Sequence, residues 1–307
     1  MRKRFFILFP AILYLCSLPS MAQIEPLILS KVSNDERCRR WVDSTMNQMS
    51  LKEKVSQLFV YTLAPVQTKA NLALLADAIQ THQVGGLLFS AGTASDQAQL
   101  TNQAQKMSKV PVMITFDGEW GLSMRLSGTP VFPKNRVLGR IQDNRLIYEY
   151  GQEVARQCRE MGVHVNFAPV ADVNINPKNP VINVRSFGAL PDRVADKAVA
   201  YASGLESGGV LSVSKHFPGH GDTDVDSHKS MPVLPFTRSR LDSIELYPFK
   251  KLINAGLGGI MVGHLHVTAL DKDNDLPASL SHNVVQGLLK DELRFNGLIF
   301  TDALVMK

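Results

Sequence analysis

The chain has 307 residues, 45% hydrophobic and 20% charged, a balance that excludes a disordered or collagen-like chain and suits a globular protein with a large core. Its formal charge is +5, but the amino terminus, Arg2, Lys3 and Arg4 crowd into the first four residues. The body is therefore close to neutral and carries no basic nucleic-acid footprint.

Met1 to Ala22 reads as an export signal rather than as fold. Arg2-Lys3-Arg4 is a basic n-region, Phe5 to Leu18 an apolar h-region, and Ser20-Met21-Ala22 a small-x-small cleavage site. The apolar run is short for a spanning helix, which needs roughly 20 residues. The expected location is periplasmic or extracellular. A lipoprotein anchored through Cys16 is the weaker alternative, because Leu15 is bulky for the usual site, and membrane attachment is expected only with that lipid. Cys38 and Cys158 remain after cleavage. They read as two separate buried thiols, not as a disulfide framework.

Residues 23–50 read as an N-terminal arm followed by a helix. The arm, 24–38, is polar and irregular. Arg39 to Met49 has helical spacing, and Ser50-Leu51-Lys52-Glu53 is a capping box opening another short helix. From there short apolar runs alternate with helical segments. The runs are 57–60, 84–89, 110–116, 163–168, 210–214, 259–263 and 298–301. The helices between them are 71–82, 95–109, 143–161, 193–206, 240–254 and 281–294.

Continuous apolar runs indicate strands buried on both faces, as in a parallel sheet. Strict alternation leaves a doubly wound sheet or a (β/α)8 barrel. The barrel is preferred because polar residues recur at strand C-terminal ends: Asp117, Lys215-His216, His264 and Asp302. The predicted fold is an α/β TIM-type (β/α)8 barrel over residues 51–307. It reads as truncated near the C-terminal end of strand 7, with a further C-terminal segment or domain expected.

Residues 215–228 concentrate the chemistry: Lys215, His216, His220, Asp222, Asp224, Asp226 and His228, interrupted by Pro218, Gly219 and Gly221. A polar loop after a buried strand is where a barrel keeps its site, although a solvated turn has the same composition. Asp226 and His228 stand at i and i+2, on one side of an extended loop. The carboxylate can orient the ring and raise its pKa toward that of a proton donor near neutral pH. Asp302 can be a nucleophile, base or ligand at the mouth, or a helix N-cap. Lys215 and His216 suit hydroxyl and carbonyl groups of a polar ligand, or His216 is a satisfied core imidazole. Arg125 and Arg185 are ligand forks or surface ion pairs. His264-x-His266, with His216, His220 and Asp302, also allows a metal-dependent hydrolase. A carbohydrate-binding or inactive barrel is the third reading.

Several motifs together resemble family 3 glycoside hydrolases, specifically their β-N-acetylglucosaminidase (β-N-acetylhexosaminidase) branch. They are Lys215-His216-Phe217-Pro218-Gly219-His220-Gly221 with Asp226-Ser227-His228, Asp117-Gly118-Glu119-Trp120-Gly121, Phe167-Ala168-Pro169-Val170-x-Asp172, Arg185-Ser186-Phe187-Gly188 and Phe300-Thr301-Asp302-x-Leu304. The resemblance implies Asp302 as the nucleophile of a retaining mechanism and His228, paired with Asp226, as acid/base. It implies Asp117, Arg125, Arg185, Lys215 and His216 as ligands of a terminal N-acetylglucosamine, with no cofactor and no metal. β-Glucosidases of the family lack the Asp-Ser-His loop, and their specificity is the alternative. Trp120 and Leu122 depart from the family pattern, at positions where Gly and often Arg stand. An imidazole in place of an acid carboxyl leaves the mouth less negative, so phosphate as acceptor is a further expectation to test.

Overall fold

The computed structural model describes residues 27–225, 230–272 and 276–305. Residues 1–22, expected to be a signal segment, and Asp226 and His228 lie outside the described residues. Seven strands form one all-parallel sheet: β1 (Val60–Leu63), β2 (Gly86–Phe89), β3 (Met113–Phe116), β4 (Val165–Asn166), β5 (Leu211–Phe217), β6 (Gly259–Val262) and β7 (Leu298–Thr301). Their spatial order is their sequence order, so no connection skips a neighbour. This is the topology a (β/α) barrel requires and a doubly wound sheet lacks.

The sheet curls. Phe167, just past β4, meets Phe300 of β7 edge-on with ring centroids 5.3 Å apart. In a flat sheet strands three apart lie about 14 Å from each other, given ~4.8 Å per strand. Both rings belong to an inner cluster with Val165, Leu211, Val213 and Met261, which occupies the concave face. A second, larger core lies outside, where Leu100, Val154, Tyr201, Leu205 and Phe249 pack helices onto the convex face. Burial of β5 at all seven positions explains why its sequence shows no alternation. An eighth strand is not among the described residues, and no pairing joins β1 to β7 there.

Two helices on the convex face come unusually close. A Cβ on Gly151 would sit 2.5 Å from the Tyr201 carbonyl oxygen, and one on Gly204 would sit 2.2 Å from that of Tyr148. Gly at both positions lets helices 144–160 and 191–207 touch backbone to backbone. That contact carries Tyr201 inward to donate its hydroxyl to the Gly118 carbonyl, 3.3 Å away.

The expected arm is a correction. Leu27–Ser33 is helical, as is Glu36–Gln48, which Asp35 caps through the Arg37 amide. Leu27 donates its amide to the Gly256 carbonyl at 2.9 Å, and Ile28 and Leu29 pack on the inner cluster. This short helix therefore covers the N-terminal end of the sheet. A seven-residue segment has little intrinsic helicity, so its order comes from tertiary contact.

Other expectations shift in detail. The Ser50–Glu53 capping box is present in both directions, but β1 begins at Val60, because Leu58 and Phe59 still turn back on Val55 and Ser56. The predicted helix 240–254 is two helices, Arg238–Ser243 and Tyr247–Asn254, with Pro248 opening the second. Segment 283–292 winds as a π-helix. Cys38 is half-exposed rather than buried, Cys158 is buried, and both are free thiols.

Candidate active site

Every polar residue singled out at a strand end falls on one rim, the C-terminal end of the sheet. Phe217, Val262 and Thr301 share one register level, and Phe116, Asn166 and Ser212 another. Asp117, Lys215-His216 and Asp302 each follow or end their strand on that side. In β5 the register slips between Ser214 and Phe217, and the Lys215–His216 peptide is cis. Both side chains face the same network.

The network is built around Lys215, which is 3% exposed. Its ammonium donates to Asp117 Oδ1 at 2.5 Å and lies 2.9 Å from Glu119 Oε1. Asp117 also accepts from the Arg125 guanidinium. The Arg125 backbone is itself fixed, because its carbonyl accepts the Gly92 amide at 2.9 Å. Glu119 is fully buried and takes Arg185 in a fork, with Nε 3.0 Å from both oxygens and Nη2 2.5 Å from Oε1. Arg185 Nη2 reaches on to His216 Nε2 at 3.2 Å, and His216 Nδ1 meets Asp172 Oδ2 at 2.7 Å. Asp172 is likewise fully buried.

Burial alone would raise the Asp117 and Glu119 carboxyls. Lys215, with Arg125 for the first and Arg185 for the second, reverses that and holds both below their usual range. The same attraction overrides the effect of burial on Lys215 and keeps its ammonium charged. Three carboxylates, of which Glu119 and Asp172 are fully buried and Asp117 half-buried, thus meet Lys215, Arg185, Arg125 and the His216 ring in paired contacts.

Neutral groups hold the turn that carries Asp117 and Glu119. Asn166, at the end of β4, grips Gly118 through both its amide (3.0 Å) and its carbonyl (3.1 Å). Asn135 donates to the Arg185 carbonyl at 2.7 Å. Of the two departures in this turn, Leu122 is buried and Trp120 is half-buried, with the Lys134 ammonium 5.6 Å from its ring centroid.

The loop after β5 is tied down as far as it is described. The His220 amide donates to Asp172 at 2.7 Å, and Asn179 donates to the His220 carbonyl at 2.8 Å. Gly221 lies so close to Val173 that a Cβ there would sit 2.0 Å from its carbonyl oxygen. Asp222 pairs with Arg240 at 2.7 Å. His220 is 2% exposed, and burial, reinforced by neighbouring His216, pushes its pKa down to about 4.

Asp302 is half-exposed at the rim, two strands from β5. Its amide donates to the Val262 carbonyl and its Oδ1 accepts the Ala303 amide, at 2.9 and 2.8 Å. His264 contacts Ser279 Oγ through Nδ1 and the Ala303 carbonyl through Nε2, at 2.7 and 3.1 Å. Both ring nitrogens of His264 are therefore used within the protein. Among the described residues no three His, Cys, Asp or Glu gather as a metal site.

Sequence reasoning quoted Glu119 and Asp172 inside motifs but gave them no role, and it missed Asn166. Asp117 and Glu119 are two residues apart on an extended turn, and that spacing was a usable signal. Asn166 was visible as an amide inside the apolar run 163–168.

Residues 50–307 match the Glycosyl hydrolase family 3 N terminal domain. The chain belongs to glycosyl hydrolase family 3. It is 35% identical over 255 residues to a Beta-hexosaminidase A of Pseudoalteromonas piscicida, covering 76% of this chain and 43% of that protein. It is also 35% identical over 234 residues to a Beta-hexosaminidase of Nitrosomonas eutropha, covering 73% and 66%. In structure it is similar to a family 3 beta-N-acetylglucosaminidase from Paenibacillus sp. (TM-score 0.79, 37% identity, 84% of this chain and 50% of that one). It is similar as well to the beta-glucoside phosphorylase BglX (TM-score 0.84, 27% identity, 91% and 52%). The family 3 chain described here thus spans between 43% and 66% of the length of these relatives.

Proposed function

We propose that this family 3 domain removes terminal β-linked N-acetylglucosamine by a retaining mechanism, on the exported side of the membrane. The observation that carries the reading is the cluster of Asp117, Arg125, Arg185, Lys215 and His216 on the same rim as Asp302. Fixed carboxylate acceptors and cationic donors suit the hydroxyls of a sugar. The pairing holds them in place before a ligand arrives, so little reorganisation is needed on binding.

In this reading Asp302 attacks the anomeric carbon and forms a covalent glycosyl-enzyme. His228, oriented by Asp226, protonates the departing oxygen and then takes a proton from the incoming water. Lys215 and Arg125 keep Asp117 ionised, so that it accepts from sugar hydroxyls. N-Acetylglucosamine is preferred over glucose on the Asp226-Ser227-His228 sequence and on the hexosaminidase names of the relatives. The Met1–Ala22 leader supports export.

Phosphorolysis is a second reading, favoured by the likeness to a phosphorylase. The test is cleavage by the full-length chain of an aryl β-N-acetylglucosaminide against the matching glucoside, with and without phosphate and with a chelator. Expected are preference for the N-acetyl sugar, survival in chelator, and losses of about a thousandfold or more in Asp302→Asn and His228→Ala. Both variants matching the parent would reject the site. Loss in chelator would favour the metal reading, and a phosphate-dependent sugar 1-phosphate would replace hydrolysis by phosphorolysis.

A further inference from the structure

The Asp172 carboxylate receives three donors. Oδ1 takes the His220 backbone amide (2.7 Å), Oδ2 takes the His216 ring at Nδ1 (2.7 Å), and the His216 backbone amide is shared between the two oxygens (3.2 and 3.3 Å). On the other side of that ring, Arg185 Nη2 stands 3.2 Å from Nε2. A guanidinium has donors and no acceptor, so Nε2 must be the acceptor in this contact. The single ring proton then lies on Nδ1, pointing at Asp172, and His216 presents a lone pair toward Arg185.

We propose that Asp172 is a positioning residue. It fixes the His216 tautomer so that Nε2 accepts a hydrogen bond from a hydroxyl of the bound sugar, and the same carboxylate ties the ring to the root of the loop after β5. The proposal rests on the reading of His216 as a sugar ligand. It assigns that contact a direction: the sugar donates and the protein accepts. Arg185 holds the lone pair until a hydroxyl competes for it, and the Glu119 fork keeps the guanidinium in place.

An isosteric change tests this. In Asp172→Asn the side chain has one acceptor edge and one donor edge. The His220 amide at the Oδ1 position cannot become an acceptor, so it claims the new carbonyl, and the shared His216 amide can turn to the same oxygen. The amide NH2 then faces Nδ1. The imidazole can answer by moving its proton to Nε2, which turns an N–H toward the Arg185 donors and leaves no lone pair there to accept a sugar hydroxyl's proton.

The readout is the ring 15N spectrum of the labelled full-length chain, with His216→Gln assigning the resonance, together with steady-state kinetics on an aryl β-N-acetylglucosaminide. Expected in the parent are a pyrrole-type Nδ1 and a pyridine-type Nε2, exchanged in Asp172→Asn. KM should rise about tenfold or more, and kcat should change less. A parent ring protonated at Nε2 overturns the proposal, and so does an Asp172→Asn ring that keeps the parent tautomer. A flipped tautomer with unchanged KM overturns the role in sugar binding. If Asp172→Asn does not fold, the parent spectrum still decides the tautomer. If the parent has no activity on the aryl sugar, the proposed function fails while the spectrum still reads the tautomer.

Discussion

Replacing Glu119 by Gln isolates what the buried charges contribute. The Glu119 carboxylate is fully buried and faces two cations, with Arg185 in a fork and Lys215 2.9 Å away. Removing one member of a buried ion pair costs about 3–5 kcal/mol, because the partner is left charged and desolvated. The amide keeps one acceptor oxygen, so the expected loss is near the lower end, about 3 kcal/mol. For a chain of this size that is a Tm drop of roughly 5 °C.

Glu206→Gln is the matched control. That carboxylate is also withdrawn from water but accepts from the Ser212 hydroxyl at 2.6 Å and the Gly258 amide at 2.7 Å. Burial raises its pKa against those hydrogen bonds. The fold disfavours its charged form, so losing the charge should cost less than about 1 kcal/mol. Both variants would be unfolded in guanidinium at pH 7 and compared by midpoint and slope. Equal losses within about 0.5 kcal/mol would show that the cations do not set the cost and would refute the pairing argument.

The pH dependence of stability should carry the mark of His220. Its folded pKa, about 4, lies below the ordinary 6.5, so folding favours the neutral ring. That contribution is complete above pH 6.5 and is lost as pH falls from there through 4. It amounts to about 3 kcal/mol from 1.36 kcal/mol per unit. The depressed carboxyls Asp117, Glu119 and Asp172 act lower, below their ordinary values of 3.8 and 4.5. His220→Asn should flatten the upper window, and an unchanged slope between pH 6.5 and 4 would remove His220 from the account. Native-state alkylation followed by mass spectrometry should modify Cys38 and spare Cys158. Burial pushes the Cys158 thiol up to about 12. Equal labelling of the two would mean that Cys158 opens to solvent.

The strand rhythm was legible because strands buried on both faces leave continuous apolar runs, and the (β/α) order followed from counting them. The seven-residue β5 shows the limit. Lys215 and His216 lie inside the strand and are buried, which no hydropathy pattern indicates, since their burial depends on partners over 40 residues away in Asp117, Glu119 and Asp172. The helix at Leu27–Ser33 was illegible for a related reason. Its apolar residues gain their place from an inner cluster assembled by strands much later in the chain. The break between Arg238–Ser243 and Tyr247–Asn254 was signalled by Pro248 but hidden by apolar residues that kept helical spacing. At the site, residue types at strand ends pointed to Asp117, Lys215 and His216. Glu119 and Asp172, which hold Arg185 and the His216 ring, were given no role, although Glu119 stands two residues from Asp117.

The His-x-His pair after β6 suggested a metal by spacing alone, and the geometry gives His264 different work. A carbonyl oxygen accepts only, so the Ala303 contact places the ring proton on Nε2, and Nδ1 must accept the Ser279 hydroxyl. Coordinating a metal through Nε2 would require giving up the Ala303 bond. That bond bears on Asp302 directly. Residue 303 offers its amide to Asp302 Oδ1 and its carbonyl to His264, so one residue carries the orientation of the carboxylate to an imidazole on the neighbouring strand. In the role proposed for Asp302, a nucleophile has to meet the anomeric carbon within a few tenths of an ångström, and a side chain at an open rim has little packing to hold it. Ser279, His264 and Ala303 supply through hydrogen bonds the constraint that the core cannot.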